Sequence, residues 1–240
     1  MTNILIPSGG KSNFFKDSYY PKNLYEVYGK PMIQRVIESI DLSDSRFIFV
    51  LNQDECDKFH TDNIASILTN GNLQIVRLTD VTGGALCSCL MAVEWIDNED
   101  ELIIINSDQI IEKDIEEILQ TFRNQNAECG LVCFESIHPR WSYVKSIGNE
   151  VIQVAEKCPV SRNAIAGFYY FKHGKDFVET SKKAILKDAT YDNRFYISAA
   201  VNEMILKNKN VRMQVIDSNQ YKTFYSPESV AQFEKELRGI

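Results

Sequence analysis

At 240 residues with a formal net charge of −7, the chain is long enough to bury a full core and too acidic to hold nucleic acid non-specifically, because Lys and Arg contacts to phosphate supply most of that affinity. Hydrophobic residues at 44% and charged residues at 25% exclude a disordered or fibrous class. No apolar run approaches the ~18 residues of a membrane span and no secretory leader is visible, so the expectation is a cytoplasmic protein without membrane insertion. Cys56, Cys87, Cys89, Cys129, Cys133 and Cys158 show no Cys-x-x-Cys pair and no histidine at ligand spacing, and read as buried, reduced thiols.

Residues 4–7 form a short apolar run of the buried-strand kind, followed by Pro7-Ser8-Gly9-Gly10-Lys11 and then Tyr20-Pro21-Lys22-Asn23-Leu24. Pro31 opens a helical pattern with Ile33, Val36, Ile37 and Ile40 on one face. Strand patterns over 47–51, 74–78 and 102–106 alternate with helical stretches over 56–68 and 85–95. That alternation argues for parallel strands with covering helices. A helix over 114–123 turns Ile115, Ile118, Leu119 and Phe122 inward. Beyond it, 130–135, 142–147, 151–155 and 164–171 are strand-like and separated by short turns such as Gly148-Asn149, which points to antiparallel or mixed sheet extending the first. Tyr169, Tyr170 and Phe171 are expected to alternate between core and surface. No linker or repeat divides the chain, so residues 1–240 are expected to form a single α/β domain with halves 1–125 and 126–240.

Candidate chemistry sits at strand ends. Adjacent glycines let main chain approach an anion closely, and the Pro7 to Lys11 loop lies at the carboxyl end of the first strand, where open α/β sheets bind ligands. Lys11, Lys16, Lys22 and Lys30 fall in one short window, the cluster expected around a small polyphosphate, although solvated surface lysines have the same composition. Asp108 follows a buried strand and suits either a divalent cation or the cap of a following helix. Gly83 and Gly84, after Thr82, suit a close backbone approach or a plain helix-entry turn. Trp141-Ser142-Tyr143, after the turn His138-Pro139-Arg140, is a candidate lining for a second substrate.

Taken together, Tyr20-Pro21-Lys22-x-Leu24-x-x-Val27-x-Gly29-Lys30-Pro31-Met32-Ile33 behind a strand and Gly-rich loop resembles the nucleotidyltransferase superfamily that includes the sugar-nucleotide pyrophosphorylases. Thr82-Gly83-Gly84-Ala85 resembles that family's Thr-x-Gly-x-Ala turn, and Asn106-Ser107-Asp108-Gln109 its metal-binding aspartate. Glu156-Lys157-Cys158-Pro159 resembles its acceptor segment, Gly167-Phe168-Tyr169-Tyr170-Phe171 its Gly-x-Tyr-x-Phe strand, and Ser226-Pro227-Glu228 its Thr-Pro-Glu close. The resemblance covers nearly the whole chain in family order. It implies a Rossmann-like three-layer mixed sheet of the GT-A-like nucleotide-diphospho-sugar transferase type, with 1–125 the nucleotide-binding half and 126–240 the acceptor-binding half.

For the site, the resemblance implies that Pro7, Ser8, Gly9, Gly10, Lys11, Thr82, Gly83 and Gly84 hold the nucleotide. Lys22 and Asp108 would carry the chemistry, with Mg²⁺ on Asp108, while Glu156, Lys157 and Gly167 hold the acceptor. The partners implied are a nucleoside triphosphate and a phosphorylated small molecule. Two positions depart from the pattern: Phe14 stands where the family loop carries an arginine, and Thr223 where many members have a second metal-binding aspartate. Phe14 offers neither charge nor a hydrogen bond to a triphosphate. The alternatives are a cytidylyltransferase acting on a phospho-alcohol, a GT-A glycosyltransferase using a nucleotide sugar, and a non-catalytic nucleotide-binding homologue. The missing second acid in Ser107-Asp108-Gln109 counts against the glycosyltransferase.

Overall fold

The structure, a computed structural model, describes residues 1–10 and 12–239; Lys11, expected in the nucleotide loop, lies outside the described residues. The first half runs β1 (Thr2–Pro7), β2 (Glu26–Val27), β3 (Lys30–Pro31), α1 (Met32–Glu38), β4 (Ser45–Asn52), α2 (Gln53–Phe59), α3 (Thr61–Leu68), β5 (Leu73–Leu78), α4 (Ala85–Leu90), α5 (Val93–Ile96), β6 (Glu101–Ile105), β7 (Gln109–Ile111) and α6 (Ile115–Asn124). The second half adds β8 (Cys129–Glu135), β9 (Tyr143–Ile147), β10 (Glu150–Ala155), β11 (Asn163–Phe171), α7 (Gly174–Leu186), α8 (Ile197–Leu206), β12 (Val211–Val215), β13 (Tyr221–Thr223) and α9 (Pro227–Arg238).

A nine-stranded mixed sheet takes strands from both halves in the order β5-β4-β1-β6-β11-β8-β12-β10-β9. The first four strands are mutually parallel. β11 joins β6 antiparallel and carries β8 antiparallel on its other side, while β12 runs parallel to β8. β1 and β6 read as continuous apolar runs because both faces are covered. Leu5, Leu102 and Ile104 face one core with Leu86 of α4, Phe177 of α7 and Val201 of α8. Ile4, Ile6, Ile103 and Ile105 face the other with Val36 of α1 and Ile118 of α6. Helices thus lie on both faces of a central sheet.

α6 shows how local sequence sets an element. Asp114 accepts a hydrogen bond from the Glu116 amide at 2.8 Å, Glu116 and Glu117 favour the positive end of the helix, and Ile115, Ile118, Leu119 and Phe122 are all buried. Each such apolar side chain contributes about 1.5–3 kcal/mol on burial. A third, smaller core joins Phe15, Val27 and Met32 to Phe224, Val230 and Phe233, and so ties α9 against the segment that follows the glycine loop.

Several expectations are corrected. The helix over 56–68 is two helices, α2 and α3, broken at His60, which takes a left-handed φ of 55° while Thr61 Oγ1 donates to the Glu55 carbonyl. The stretch 85–95 is likewise divided, into α4 and α5. Asp108 leads into strand β7 and caps no helix. Tyr169, Tyr170 and Phe171 do alternate, but between the two cores, so none meets solvent. Lys30 does not join a phosphate cluster, because its ammonium pairs with Glu38 at 2.6 Å. Cys158 is exposed and Cys87 half-buried, leaving four of the six thiols buried.

Candidate active site

The carboxyl ends of the parallel strands open onto a cavity of about 440 Å³. Pro7, Lys22, Asp108, Glu156, Lys157 and Gly167, drawn from both halves of the chain, line it. Lys22 Nζ lies 3.3 Å from Asp108 Oδ2, both side chains being largely shielded from solvent. Each arrives by a different route. A short 3₁₀ turn over Lys22–Leu24 presents the lysine, and its neighbour Asn23, 1% exposed, anchors that turn by donating Nδ2 to the Ser8 carbonyl at 3.1 Å. Asp108 is fixed between β6 and β7, and its carbonyl accepts the Phe224 amide at 2.7 Å.

β13 pairs with β7 so that Thr223 faces Gln109, which brings the Thr223 hydroxyl segment alongside Asp108. A hard divalent cation suits the Asp108 carboxylate, an oxygen donor beside which substrate phosphates and water complete such a shell. Among the described residues no group of three His, Cys, Asp or Glu side chains could build an all-protein cage.

In the same cavity, Glu156 Oε2 accepts hydroxyl hydrogen bonds from Ser142 at 2.6 Å and Ser198 at 2.8 Å. Lys157 takes a left-handed φ of 50° at the end of β10, donates Nζ to Tyr196 Oη at 2.8 Å, and lies over the Tyr196 and Tyr191 rings. Burial alone would lower its pKa, but the Tyr196 hydroxyl and the Glu156 charge outweigh burial and hold the ammonium above its ordinary range. Gly167, with φ of 58°, sits where β11 slips register against β8. A Cβ there would lie 2.8 Å from Asn106 Cγ, so the glycine admits the Asn106 and Gln109 side chains that brace the loop before Asp108. Gln109 in turn donates to the Ala166 carbonyl and accepts from Tyr221 Oη.

Among the described residues, the remaining predicted ones are not on the cavity wall. Ser8 and Gly9 are buried, and the Ser8 amide donates to the Val50 carbonyl at 2.9 Å, which extends the β1–β4 ladder and removes that donor from any phosphate cradle. Among the described residues neither the Gly9 nor the Gly10 amide donates a hydrogen bond. Gly10 instead borders a neighbouring cavity, also about 440 Å³, shared with Lys22, Tyr19 and Phe59. Thr82, Gly83 and Gly84 pack against the segment before α8: Gly83 accepts from the Phe195 amide at 2.9 Å, and Gly84, at φ 135°, presses on the Phe195 main chain. The close approach expected there is therefore made to protein backbone. Asn52 caps α2 through the Glu55 amide at 3.3 Å.

Arg140, Arg194, Tyr196 and Tyr225 also line the main cavity and were not expected as site residues. Arg140 sits in a stretch legible only as a turn, and Arg194 in one with no periodic pattern, so only their charge could have drawn notice.

The class so defined is a mixed α/β protein in which a Lys–Asp pair at the strand ends and a Glu–Lys pair line one cavity. A profile of the nucleotidyl transferase family matches residues 18–221, and the chain is a member of that family of enzymes. The bifunctional protein GlmU of Methanocaldococcus jannaschii is 34% identical over 103 residues, which is 42% of this chain and 22% of that protein. A nucleoside-diphosphate-sugar pyrophosphorylase from Vibrio cholerae RC9 superposes with a TM-score of 0.82 at 22% identity, covering 96% of this chain and 98% of that one. A provisionally named glucose-1-phosphate thymidylyltransferase from Bacillus anthracis gives 0.78 at 19% identity, covering 100% and 96%. At such identities these two structures share the fold. Among the described residues no helix is long and apolar enough to cross a membrane.

Proposed function

We propose that the chain is a Mg²⁺-dependent nucleotidyltransferase that joins a nucleoside monophosphate to a phosphorylated small molecule, a sugar 1-phosphate, in cytoplasmic synthesis of surface-polysaccharide precursors. The observation that carries this reading is the meeting of Lys22 with Asp108 in a cavity that Glu156 and Lys157 also line. In this reading 1–125 is the nucleotide-binding half and 126–240 the acceptor-binding half of one domain.

The acceptor phosphate arrives ionised, so no general base is required. Its oxygen attacks the α-phosphorus, a new P–O bond forms, and the bond from the α-phosphorus to the bridging oxygen breaks with the electron pair leaving on pyrophosphate. Catalysis then reduces to alignment and to neutralising charge that moves toward the leaving group. Lys22 places a fixed positive charge beside the α-phosphate. Lys157 holds the acceptor phosphate, and Glu156, itself held by two serine hydroxyls, accepts from an acceptor hydroxyl. Asp108 would hold Mg²⁺, which when bound supplies further neutralisation of phosphate charge. Gly10, which borders the neighbouring cavity with Lys22, offers an undonated amide to the outer phosphates.

The test is pyrophosphate release from ATP, CTP, GTP, UTP or dTTP with a panel of sugar 1-phosphates and phospho-alcohols, with and without Mg²⁺. One Mg²⁺-dependent productive pair is expected, with a sugar 1-phosphate as acceptor. No release from any pair sinks the reading, and release with a phospho-alcohol alone moves the acceptor class. Hydrolysis of nucleotide sugars without pyrophosphate chemistry would place the chain with the glycosyltransferases instead.

A further inference from the structure

Phe14 removes the arginine from the loop, yet its ring is not idle. It packs on Tyr225 with ring centroids 4.6 Å apart, and the other neighbour of Tyr225 is a guanidinium, with Arg140 Cζ 5.9 Å from that ring. Arg140 also lies 5.0 Å over Trp141, which is wedged against Phe134 and Tyr221 at 5.5 and 5.6 Å. A planar guanidinium between two anchored aromatic faces keeps its charge and its donors while losing much of its freedom. The backbone beneath it is fixed as well. The Arg140 amide donates to His138 Nδ1 at 3.2 Å, and the His138 carbonyl accepts from Tyr143 Oη at 2.7 Å, Tyr143 being wholly buried.

Resting on the nucleotidyltransferase reading, we propose that Arg140, supplied by the turn between β8 and β9, grips the triphosphate in place of the arginine that Phe14 replaces. Arg140 makes no ion pair among the described residues, whereas Arg123 and Arg162 are both seated on carboxylates. Its charge is therefore available to an anion in the cavity that it shares with Lys22 and Asp108. The other unpaired arginine lining it, Arg194, is tied to Lys157: its main chain bridges Tyr191, whose ring lies under Lys157. Arg140 alone of the two contacts the ring that packs on the glycine-loop segment. The substitution in the loop and the arginine in the second half thus form one unit, in which Phe14 supports the platform that holds the replacement cation.

Calorimetric titration of inorganic tripolyphosphate and of the five nucleoside triphosphates, each with Mg²⁺, tests this on the full chain. Arg140→Gln is expected to weaken the bound triphosphate and tripolyphosphate roughly 10- to 100-fold, the size of one lost charge-assisted contact. Nucleoside monophosphate and glucose 1-phosphate affinity should stay within about twofold, and Phe14→Arg in the Arg140→Gln background should recover most of the loss. Arg140→Lys, which keeps charge without the planar fork, should fall between. If the wild type binds triphosphate and Arg140→Gln binds it equally well, or loses glucose 1-phosphate instead, the assignment is overturned while the proposed activity stands. If the wild type binds none of the triphosphates, the activity itself falls and the assignment with it. Melting temperatures of the variants separate a lost contact from a lost fold.

Discussion

Lys22 and Asp108, 86 positions apart in the chain, meet at 3.3 Å because a 3₁₀ turn anchored on the Ser8 carbonyl and the end of β6 converge on one cavity wall. Asp108→Asn keeps the shape and removes the charge, and Lys22→Gln does the same for its partner. Each is expected to lower the rate of pyrophosphate release by about 10²–10³, the range for one preorganised electrostatic contact. Because the two residues touch, the double variant should fall short of the product of the singles. Single-variant rates within about threefold of the wild type, with folding intact, would remove the pair from the chemistry.

Gly84 and Gly148 both have positive φ, but they should respond differently to the same substitution. At Gly148 a Cβ would meet nothing within 4 Å, so Gly148→Ala costs only the strain of a left-handed turn, about 1 kcal/mol. At Gly84, φ is 135° and a Cβ would come within 2.8 Å of the Phe195 nitrogen. Backbone cannot give way as a flexible side chain can, so Gly84→Ala should cost about 3 kcal/mol or more and loosen the Phe195 segment beside Tyr196. Urea unfolding of the two variants measures the difference, and equal midpoints would mean that the Gly84 turn is not held against Phe195 in solution.

Which parts of this arrangement the sequence reveals follows from how local each cause is. The Pro7 loop and Asp108 end apolar strand runs, so their place at the sheet edge is readable from periodicity alone. Thr223 could be placed near Asp108 only through the family pattern, and the β13–β7 pairing supplies the physical reason. The break at His60 interrupts a continuous helical pattern with a left-handed residue that is neither Gly nor Asn, so the usual sign of a helix end is missing there. Gly84 advertises a close approach but not its partner, since Phe195 is distant in the chain. Arg140 and Tyr225, 85 positions apart, are neighbours in the fold, a contact with no local signature.

Glu101 is the charged hub of the opposite end of β6. It accepts from Arg123 at 2.9 and 2.6 Å, from Tyr170 Oη at 2.8 Å and from Thr2 Oγ1 at 3.1 Å. Burial alone would raise its carboxyl pKa, but the hydrogen bonds from Arg123 and Tyr170 outweigh it and hold the group below the ordinary range. A carboxyl depressed in the folded state adds stability above its unfolded pKa, about 4.3, and that stability drains as pH falls through the folded value. Arg123→Met should therefore destabilise at pH 7 by about 1–3 kcal/mol, between exposed and fully buried pairs, and by progressively less as the pH drops below about 4. Urea titrations at several pH values read this directly, and a pH-independent difference would show that the arginine acts through packing alone.

Lys157 offers the cleanest separation of acceptor from nucleotide. Its left-handed backbone past the end of β10 and its bond to Tyr196 Oη fix the ammonium in the cavity. Lys157→Met keeps an unbranched side chain there and removes the ammonium that lies over the Tyr191 and Tyr196 rings. The KM for a phosphorylated acceptor should rise about tenfold or more, in line with a lost charge-assisted contact, while the triphosphate-induced rise in melting temperature stays unchanged. Tyr196→Phe, which frees the ammonium without removing it, should shift the acceptor KM in the same direction by a smaller factor. If Lys157→Met instead weakens the triphosphate, the two ends of the cavity are reversed, and Glu156 with its serine partners would have to be read as part of the nucleotide site.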